Sequence, residues 1–373
     1  MKIALLVFPL HYSHGCILQT YALYSKLKGL GHDVTILDRQ PRQSSTFLWG
    51  LKVIKRMMKV VLKGYRGGVF YKGAYPKEIM AEQQAFIDCF RNDVISVHSS
   101  LELQQQIVSV KYDAIVVGSD QTWRPKNVPN VMDYWLDCIS NMKIRRIAYA
   151  PSFGVDKWEY DKKQTKRCKA LSALFEGISV REKSGVRLCK ETLGIEVQHV
   201  LDPTMLWDKS FYEPISKDYF FPKGLCQCYF LDRTVEKEYI ANQIASLKNL
   251  TINYVNTRTE DGNAPIKERI APSIEKWLAG FFYADFVVVD SFHAMVFSIL
   301  FQKPFIVIGN RRRGMSRFES LLEELDLMDR LVTGDDSYKD IIGKEINWTK
   351  VNTIINGRRD ESLRFLIKSL RGI

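Results

Sequence analysis

Short apolar runs alternate with longer amphipathic stretches along the chain, and this alternation predicts strands followed by helices. Residues 2–8 (KIALLVF) predict a buried strand, residues 15–31 a helix, and residues 33–38 (DVTILD) a second strand. Two further apolar runs, at 111–118 and 145–150, each end in a polar cluster. Strands in this order, joined by helices, are typical of a parallel sheet in an α/β protein.

The second half of the chain has the same alternation. Its predicted strands lie within segments 177–180, 197–201, 227–232, 251–257, 285–290 and 303–310. We therefore predict two doubly wound, Rossmann-like α/β domains that face a cleft, residues 1–160 and residues 161–373, with a last helix that can cross back. Because such sheets bind ligands beyond the carboxyl ends of their strands, the polar clusters after the strands are candidates for one crevice.

The composition of the 373-residue chain, 46% hydrophobic and 26% charged, is that of a soluble globular protein with more than one core. The apolar start is too short for a signal peptide, and no run of about 18 apolar residues predicts a membrane span. The seven cysteines are scattered, and Cys226 and Cys228 lack zinc-knuckle spacing. We expect reduced thiols, no metal site and a cytoplasmic location.

The net charge of +12 predicts anionic partners. Residues 47–66 carry part of this charge, because lysines and arginines alternate there with apolar side chains at helical spacing. Such a basic amphipathic helix can lie on the inner face of a membrane, or it can pack on its own domain through its apolar side. No motif of a nucleic-acid-binding module is present, and we expect no nucleic acid partner.

Residues with useful chemistry lie where predicted strands end. In the segment DSFH, Ser291 can cap a helix whose N-terminus favours an anion, and His293 can donate a proton near neutral pH. The structural alternative is a capping serine with a core histidine. Arg181 follows another strand and can bind a carboxylate or phosphate through two parallel hydrogen bonds, or it is ordinary surface charge.

Three more clusters have both a ligand-binding and a structural interpretation. Residues 311–313 are three arginines in a loop flanked by glycines, which is a candidate anion site. Asp120, Gln121 and Trp123 offer a carboxylate, an amide and an indole for a sugar, or they cap the next helix. Asp202 precedes a proline at a strand end, where a turn is the ordinary role.

Taken in order, these segments resemble the polysaccharide pyruvyl transferase family. The similarity covers residues 1 to about 330 and rests on GCILQTYALYSKLKGLGHDVTILD, DAIVVGSDQTW, RIAYAPSFG, ISVREKSG, VLDPTMLW, DSFHAMVFSILFQKPFIVIGN and RRRGMSRFESLL. The chain has Ser291 where several members have arginine, and Ala294 where many have glycine. A cationic contact made elsewhere by that arginine would come here from Arg181 or from residues 311–313.

The resemblance implies a fold similar to that of GT-B glycosyltransferases. It also implies transfer of pyruvate from phosphoenolpyruvate onto two hydroxyls of a glycan sugar, which gives a cyclic ketal. Acceptors in this family are often lipid-linked and would reside at the inner membrane face, on which the basic helix of residues 47–66 could dock. The first domain would take the acceptor and the second the donor. No cofactor or metal is required.

The resemblance also suggests a role for each candidate residue. His293 would protonate the methylene carbon of phosphoenolpyruvate, and Asp202, or alternatively Asp120, would accept a hydroxyl proton. The expected donor contacts are Arg181, Arg312, Arg313 and Ser291. The expected acceptor contacts are Gly15, Gln19, Asp120, Gln121 and Trp123. Two other functions stay open: a nucleotide-sugar-dependent glycosyltransferase of the same architecture, and a glycan-binding protein without catalysis.

Overall fold

The computed structural model describes residues 1–11, 13–42, 46–63, 77–255, 261, 263–309, 314–332 and 338–372. Within these ranges, seven parallel strands form the first sheet in the order β3-β2-β1-β4-β5-β6-β7. The strands are β1 (Lys2–Val7), β2 (Asp33–Arg39), β3 (Val94–Val97), β4 (Ala114–Val117), β5 (Arg145–Ala148), β6 (Gly177–Val180) and β7 (Gln198–His199). The central strands β1 and β4 are apolar and almost wholly buried, as expected for a parallel sheet covered on both faces.

Helices connect these strands. They are α1 (His14–Gly29), α2 (Thr46–Lys63), α3 (Ala81–Asp88), α4 (Ser100–Val110), α5 (Val131–Tyr134), α6 (Lys162–Ser172) and α7 (Lys183–Leu188). The first helix begins where Ser13 accepts a hydrogen bond from the amide of Cys16, an N-cap that satisfies one of the free amides of its first turn. It ends just before Gly31, whose φ of +84° is a left-handed conformation that favours glycine.

A second parallel sheet, of five described strands, has the order β12-β11-β10-β8-β9. Its strands are β8 (Leu225–Tyr229), β9 (Thr251–Tyr254), β10 (Phe286–Val289), β11 (Phe305–Ile308) and β12 (Leu331–Val332). The helices of this half are α8 (Lys209–Ser216), α9 (Val235–Leu247), α10 (Ile266–Arg269), α11 (Ile274–Tyr283), α12 (Phe292–Leu300), α13 (Ser316–Glu324) and α14 (Trp348–Arg371). The predicted fold class, two doubly wound parallel sheets, is confirmed.

The change from one sheet to the other comes later in the chain than we expected. The register pairs Ile147 with Gly177, so β6 joins the first sheet, and β7 extends that sheet to His199. By sheet membership the division therefore lies between His199 and Leu225, and the expected division at residue 160 is too early.

The last helix returns to the first sheet. Arg145, the first residue of β5, donates a hydrogen bond to the carbonyl of Leu370, and the amide of Leu201 donates to Ser362 Oγ at 3.0 Å. One hydrophobic cluster also contains buried residues of both halves, among them Leu18 of α1 and Trp277 of α11. The two sheets thus share packed side chains beside the cleft.

Candidate active site

A cavity of about 420 Å³ lies between the two sheets, at the carboxyl ends of strands β1, β4, β8 and β10. In each sheet, these are the two neighbouring strands at which the strand order reverses, the position where doubly wound folds bind ligands. The cavity is lined by Phe8, His11, Ser13, Gly15, Asp120, Gln121, Arg124, Asn127, Tyr229, Leu231, Trp277, Asp290, Ser291, Phe292, His293, Arg317 and Phe318. Polar groups from four separate strand ends therefore meet in one enclosed volume.

His293 lies in the first turn of α12, with only 7% of its surface exposed. Its Nε2 is 3.6 Å from Oδ2 of Asp202, while its Nδ1 edge lies against Gly15 of α1. A Cβ added at Gly15 would lie 2.1 Å from that Nδ1 atom. This packing requires glycine at residue 15, because the imidazole of His293 in α12 lies directly against the backbone of α1.

Asp202 is buried behind the cavity and holds several groups in place. It accepts hydrogen bonds from Arg181 Nη1 at 2.6 Å, from the amide of Thr204 at 3.0 Å and from Ser119 Oγ at 3.3 Å. Burial raises the pKa of Asp202, but the adjacent His293 and Arg181 lower it by a larger amount. The pKa of this carboxyl therefore lies well below its usual range. The expected role as acceptor of a sugar proton does not fit this position, since Asp202 is absent from the cavity wall and already bonded. It is placed to orient His293.

Arg181 is a second buried charge behind the wall. Besides Asp202, it contacts Asp120 at 3.1 Å and Glu182 at 4.0 Å, and its Cζ lies 4.8 Å from the ring centre of Phe292. Burial lowers the pKa of Arg181, and these carboxylates raise it above the ordinary value. The expected direct contact with phosphoenolpyruvate is not supported, because the guanidinium is enclosed by carboxylates and does not line the cavity.

Asp120 and Gln121 reach the cavity from the end of β4, as expected. Asp120 has a φ of +69°, a left-handed conformation, and its Oδ1 accepts hydrogen bonds from the amide of Gln121 and from Arg181. Burial raises the pKa of Asp120, but the charges of Arg181 and His293 lower it below the usual range. Asp120 is therefore an anionic carboxylate on the cavity wall. The side chain of Gln121 accepts from Asn127 Nδ2 at 2.7 Å, which fixes its orientation.

Two expected acceptor contacts lie in the core instead. Trp123 is fully buried, stacks on Trp135 with ring centres 4.0 Å apart, and donates to the carbonyl of Tyr134. It offers no face to a sugar. Gln19 is buried in α1 and donates to the carbonyl of Cys16 at 3.1 Å.

Two arginines of the cavity wall, Arg317 and Arg124, are not among the residues predicted from the sequence. Arg317 belongs to the second half of the chain. It lies in the first turn of α13, and its Cζ is 5.8 Å from the ring centre of Phe292. Burial and the charge of Arg181 lower the pKa of Arg317 to about 10, so it remains a cation at neutral pH. Gly314 fixes the approach of α13, since its φ is +92° and an added Cβ would lie 2.0 Å from the carbonyl oxygen of Gly154.

In the segment RRRGMSRF, Arg317 follows the triple arginine by four residues and lies past Gly314 at the start of a helix, which is the signal that identifies it. The expected donor contacts Arg312 and Arg313 lie outside the described residues.

The start of α12 differs in detail from the expectation. Ser291 occupies the N-cap position and lines the cavity, but its side chain makes no capping hydrogen bond. The neighbouring Asp290 has a structural role, because it accepts from the amides of Leu231 and Asp232 and contacts Lys237 Nζ at 2.5 Å. The carboxylate thus ties the end of β10 to the loop that follows β8.

His14 joins the two halves next to the cavity. Its ring stacks on Trp277 with ring centres 5.1 Å apart, and its Nε2 lies 2.7 Å from the carbonyl oxygen of Pro272. Burial lowers the pKa of His14 to about 4, so its ring is neutral at pH 7. A neutral, stacked imidazole suits a structural contact better than proton transfer.

Comparison with solved structures shows what the chain is similar to in fold. A UDP-GlcNAc 2-epimerase from Methanocaldococcus jannaschii matches with a TM-score of 0.55 at 13% identity, covering 98% of this chain and 99% of the other. The corresponding enzyme from Neisseria meningitidis, solved with UDP-GlcNAc, gives a TM-score of 0.53 at 12% identity, covering 99% and 100%. A glycosyltransferase from Rickettsia africae gives 0.50 at 12% identity, covering 99% and 96%. These similarities show a GT-B-like fold.

No curated protein sequence matches the chain. The family model for polysaccharide pyruvyl transferase, in contrast, matches residues 14–312, which include α1, β4 with Asp120, and the segment around His293. The matched range thus contains most of the cavity described above. The chain belongs to the polysaccharide pyruvyl transferase family.

Proposed function

We propose that this protein transfers pyruvate from phosphoenolpyruvate onto two hydroxyls of one sugar in a polysaccharide precursor, which gives a cyclic ketal and inorganic phosphate. The observation that carries the proposal is the joint lining of one cavity by an imidazole, a guanidinium and a carboxylate: His293, Arg317 and Asp120. The reaction needs all three kinds of group. A cation binds the anionic groups of phosphoenolpyruvate, a proton donor protonates its methylene carbon, and a base removes the proton of the sugar hydroxyl.

In the first step, His293 protonates the methylene carbon of phosphoenolpyruvate, and C2 gains oxocarbenium character. A sugar hydroxyl oxygen bonds to C2, and its proton passes to a base. In the second step, another hydroxyl of the same sugar bonds to C2 while the C2–O bond to phosphate breaks, and the second proton leaves with the phosphate. The anionic Asp202 lies 3.6 Å from Nε2 of His293 and is placed to orient the ring.

For the donor, we assign Arg317 and the first turn of α12 at Ser291 to the anionic groups, since both face the cavity from the second sheet. Arg312 and Arg313, which precede Gly314 in the chain, are further candidates for the same role. Arg181 would act indirectly, by holding Asp202 and Asp120 in position.

For the acceptor, we assign the residues of the first sheet that line the cavity: Gly15, Asp120 and Gln121, with Arg124 and Asn127 beside them. Asp120 replaces Asp202 as the proposed acceptor of the first hydroxyl proton, because it is the anionic carboxylate of the pair that reaches the cavity. A precursor attached to a lipid would fit the family's polysaccharide acceptors.

The direct test is phosphate release from phosphoenolpyruvate, measured with and without glycan acceptors, together with mass spectrometry for an added pyruvate on the glycan. Release should require the acceptor, and a nucleotide sugar should not replace phosphoenolpyruvate. His293→Ala and His293→Gln should lower the rate by a factor of about 10²–10⁴, as for a general acid. His32→Ala, at the amino end of β2 and so opposite the carboxyl ends of the strands that line the cavity, is the matched control. Undiminished turnover in both His293 variants would remove the proton-donor role.

A further inference from the structure

The ring of His199 contacts several elements at the point where the chain leaves the first sheet. His199 is the last residue of β7 and is half-buried. Its Nε2 lies 3.2 Å from the carbonyl oxygen of Arg181, the residue that follows β6. Its Nδ1 lies 3.2 Å from Nη2 of Arg358 in α14, and that Nη2 also donates to the carbonyl of His199 at 2.9 Å. Ser320 Oγ of α13 lies 3.5 Å from Nε2. One imidazole thus connects the ends of β6 and β7 with two helices of the second half.

The partners of this ring fix its protonation state. A carbonyl oxygen can only accept, so Nε2 must carry the hydrogen that it donates to Arg181. A guanidinium can only donate, so Nδ1 must be the acceptor for Arg358. Both bonds form together only on a neutral imidazole with its hydrogen on Nε2. A second proton would set the N–H of one cation against the N–H of another, with 3.2 Å between the nitrogen atoms.

The charges around the ring also favour its neutral form. The charged side chains at and next to the ring are Lys183 of α7, Glu323 and Glu324 of α13, and Arg358 and Glu361 of α14. Burial lowers the pKa of His199, Glu324 and the carbonyl of Arg181 raise it, and Arg358 and Lys183 lower it. The pKa therefore lies below its ordinary value of 6.5, and the ring is neutral at pH 7.

One line of contacts runs from His199 towards the proposed proton donor. The ring holds the backbone of Arg181, and the guanidinium of Arg181 donates to Asp202 at 2.6 Å and to Asp120 at 3.1 Å. Asp202 lies 3.6 Å from Nε2 of His293. His199 itself is not among the described residues that line the cavity. Its effect on His293 would pass through Arg181 and the two carboxylates.

A second line of contacts runs to the arginine of the donor side. Ser320 is buried, accepts a hydrogen bond from the amide of Lys183 at 3.0 Å, and follows Arg317 by three residues in α13. Glu324, at the end of the same helix, forms an ion pair with Arg358, the partner of Nδ1. The helix that brings Arg317 to the cavity is thus held against the first half of the chain next to His199.

We propose that His199 is a positioning residue for the proposed reaction: its neutral ring, bonded to Arg181 and Arg358, keeps His293 and Arg317 in place on the cavity wall. This role rests on the proposed function. The support is fully present above the ordinary pKa of about 6.5 and is lost as the pH falls through the lower pKa of the folded protein. We therefore expect kcat/KM to fall in acid. Ionisation of phosphoenolpyruvate itself affects every variant alike.

The test is phosphate release from phosphoenolpyruvate with a glycan acceptor, measured from about pH 5 to about pH 8. His199→Leu removes both ring bonds and should lower kcat/KM for phosphoenolpyruvate about tenfold at pH 7, with a higher KM and a lower kcat. His199→Gln keeps an N–H that can donate to the carbonyl of Arg181, so it should recover most of this loss. Because glutamine does not titrate, kcat/KM of His199→Gln should fall less in acid than that of the wild type. His32→Gln is the matched control, since the pKa of His32 is also lowered but this residue lies at the amino end of β2; it should keep the wild-type pH profile.

Urea unfolding of each variant separates positioning from folding. A loss of folded protein alone would lower the apparent kcat of His199→Leu equally at every pH and leave KM unchanged. That result, or wild-type kinetics in both His199 variants, would overturn the positioning role. A fall in acid that persists unchanged in His199→Gln would assign the titration to another group and overturn the requirement for a neutral ring. Absence of phosphate release by the wild type would instead overturn the proposed function, and the role of His199 with it.

Discussion

Replacing Gly15 by alanine is expected to impair catalysis much more than folding. Gly15 lies in the first turn of α1 without positive φ, so alanine fits its backbone. In an open helical position this change stabilises a protein by about 0.5–1 kcal/mol. Here the added Cβ would lie 2.1 Å from Nδ1, 2.4 Å from Cγ and 2.7 Å from Cβ of His293.

Because the Cβ of His293 is itself too close, rotation of the ring cannot relieve the overlap, and α12 or α1 must shift by about 1 Å. Such overpacking costs about 1–3 kcal/mol, which leaves a net loss of about 0–2.5 kcal/mol after the helical gain. A displacement of about 1 Å at a catalytic group can lower a rate about a hundredfold. We therefore expect Gly15→Ala to fold, with somewhat lower stability, and to have about 1% of the wild-type kcat.

The assay combines urea unfolding with steady-state phosphate release. Gly29→Ala is the control in the same helix, since no atom lies within 4 Å of a Cβ at that position; it should keep full activity and equal or greater stability. In a His293→Ala background, Gly15→Ala should cause no further loss of rate. Wild-type kinetics for Gly15→Ala alone would refute the contact between Gly15 of α1 and His293 of α12. Additive losses of rate in the double variant would show that Gly15 acts through something other than His293.

Other substitutions test the groups around the cavity. Asp202→Asn should lower the free energy of unfolding in urea by about 3 kcal/mol, because Arg181 loses a buried ionic partner. The pKa of Asp202 is depressed in the folded state, so its contribution to stability is present above about pH 4 and is lost as the pH falls. The wild type should therefore lose more stability on acidification than Asp202→Asn. Parallel curves of unfolding free energy against pH would contradict this. Arg317→Lys should raise the KM for phosphoenolpyruvate about tenfold with a smaller change in kcat, because lysine cannot form two parallel bonds; an unchanged KM would separate Arg317 from the donor. Trp123→Ala should destabilise the protein by about 3–5 kcal/mol, whereas Trp123→Phe should keep the KM for the glycan, and a raised KM would show that the indole reaches the acceptor.

Most of the fold could be predicted from the sequence because the apolar runs are short and separated by amphipathic helices. The exceptions are the short strands β3 and β12, which are absent from the predicted strands, and the assignment of strands to sheets. β6 has the same local pattern as any buried strand, and its place beside β5 depends on pairing between Ile147 and Gly177, which no local pattern specifies. The end of the first sheet was therefore placed about forty residues too early.

Position after a strand did not by itself decide which predicted residues line the cavity, since Arg181 and Asp202 also follow strands but lie behind the cavity wall. Asp120, Ser291 and His293 follow strand ends, and all three line the cavity. Trp123 follows the same strand as Asp120, but its indole turns into the core and stacks on Trp135. Whether a polar cluster faces a ligand or the interior is decided by packing partners that lie far away in the chain.

The charge balance around Arg181 bears on where the proposed donor, phosphoenolpyruvate, would find its cations. Arg181 lies within 4.0 Å of three carboxylates, those of Asp120, Asp202 and Glu182, so its charge is already more than matched. An incoming phosphate would meet excess negative charge there, and the attraction it needs must come from elsewhere. Arg317 faces the cavity, and residues 311–313 precede it in the chain. We therefore expect the segment from 311 to 317 to supply the cationic contact for the proposed donor.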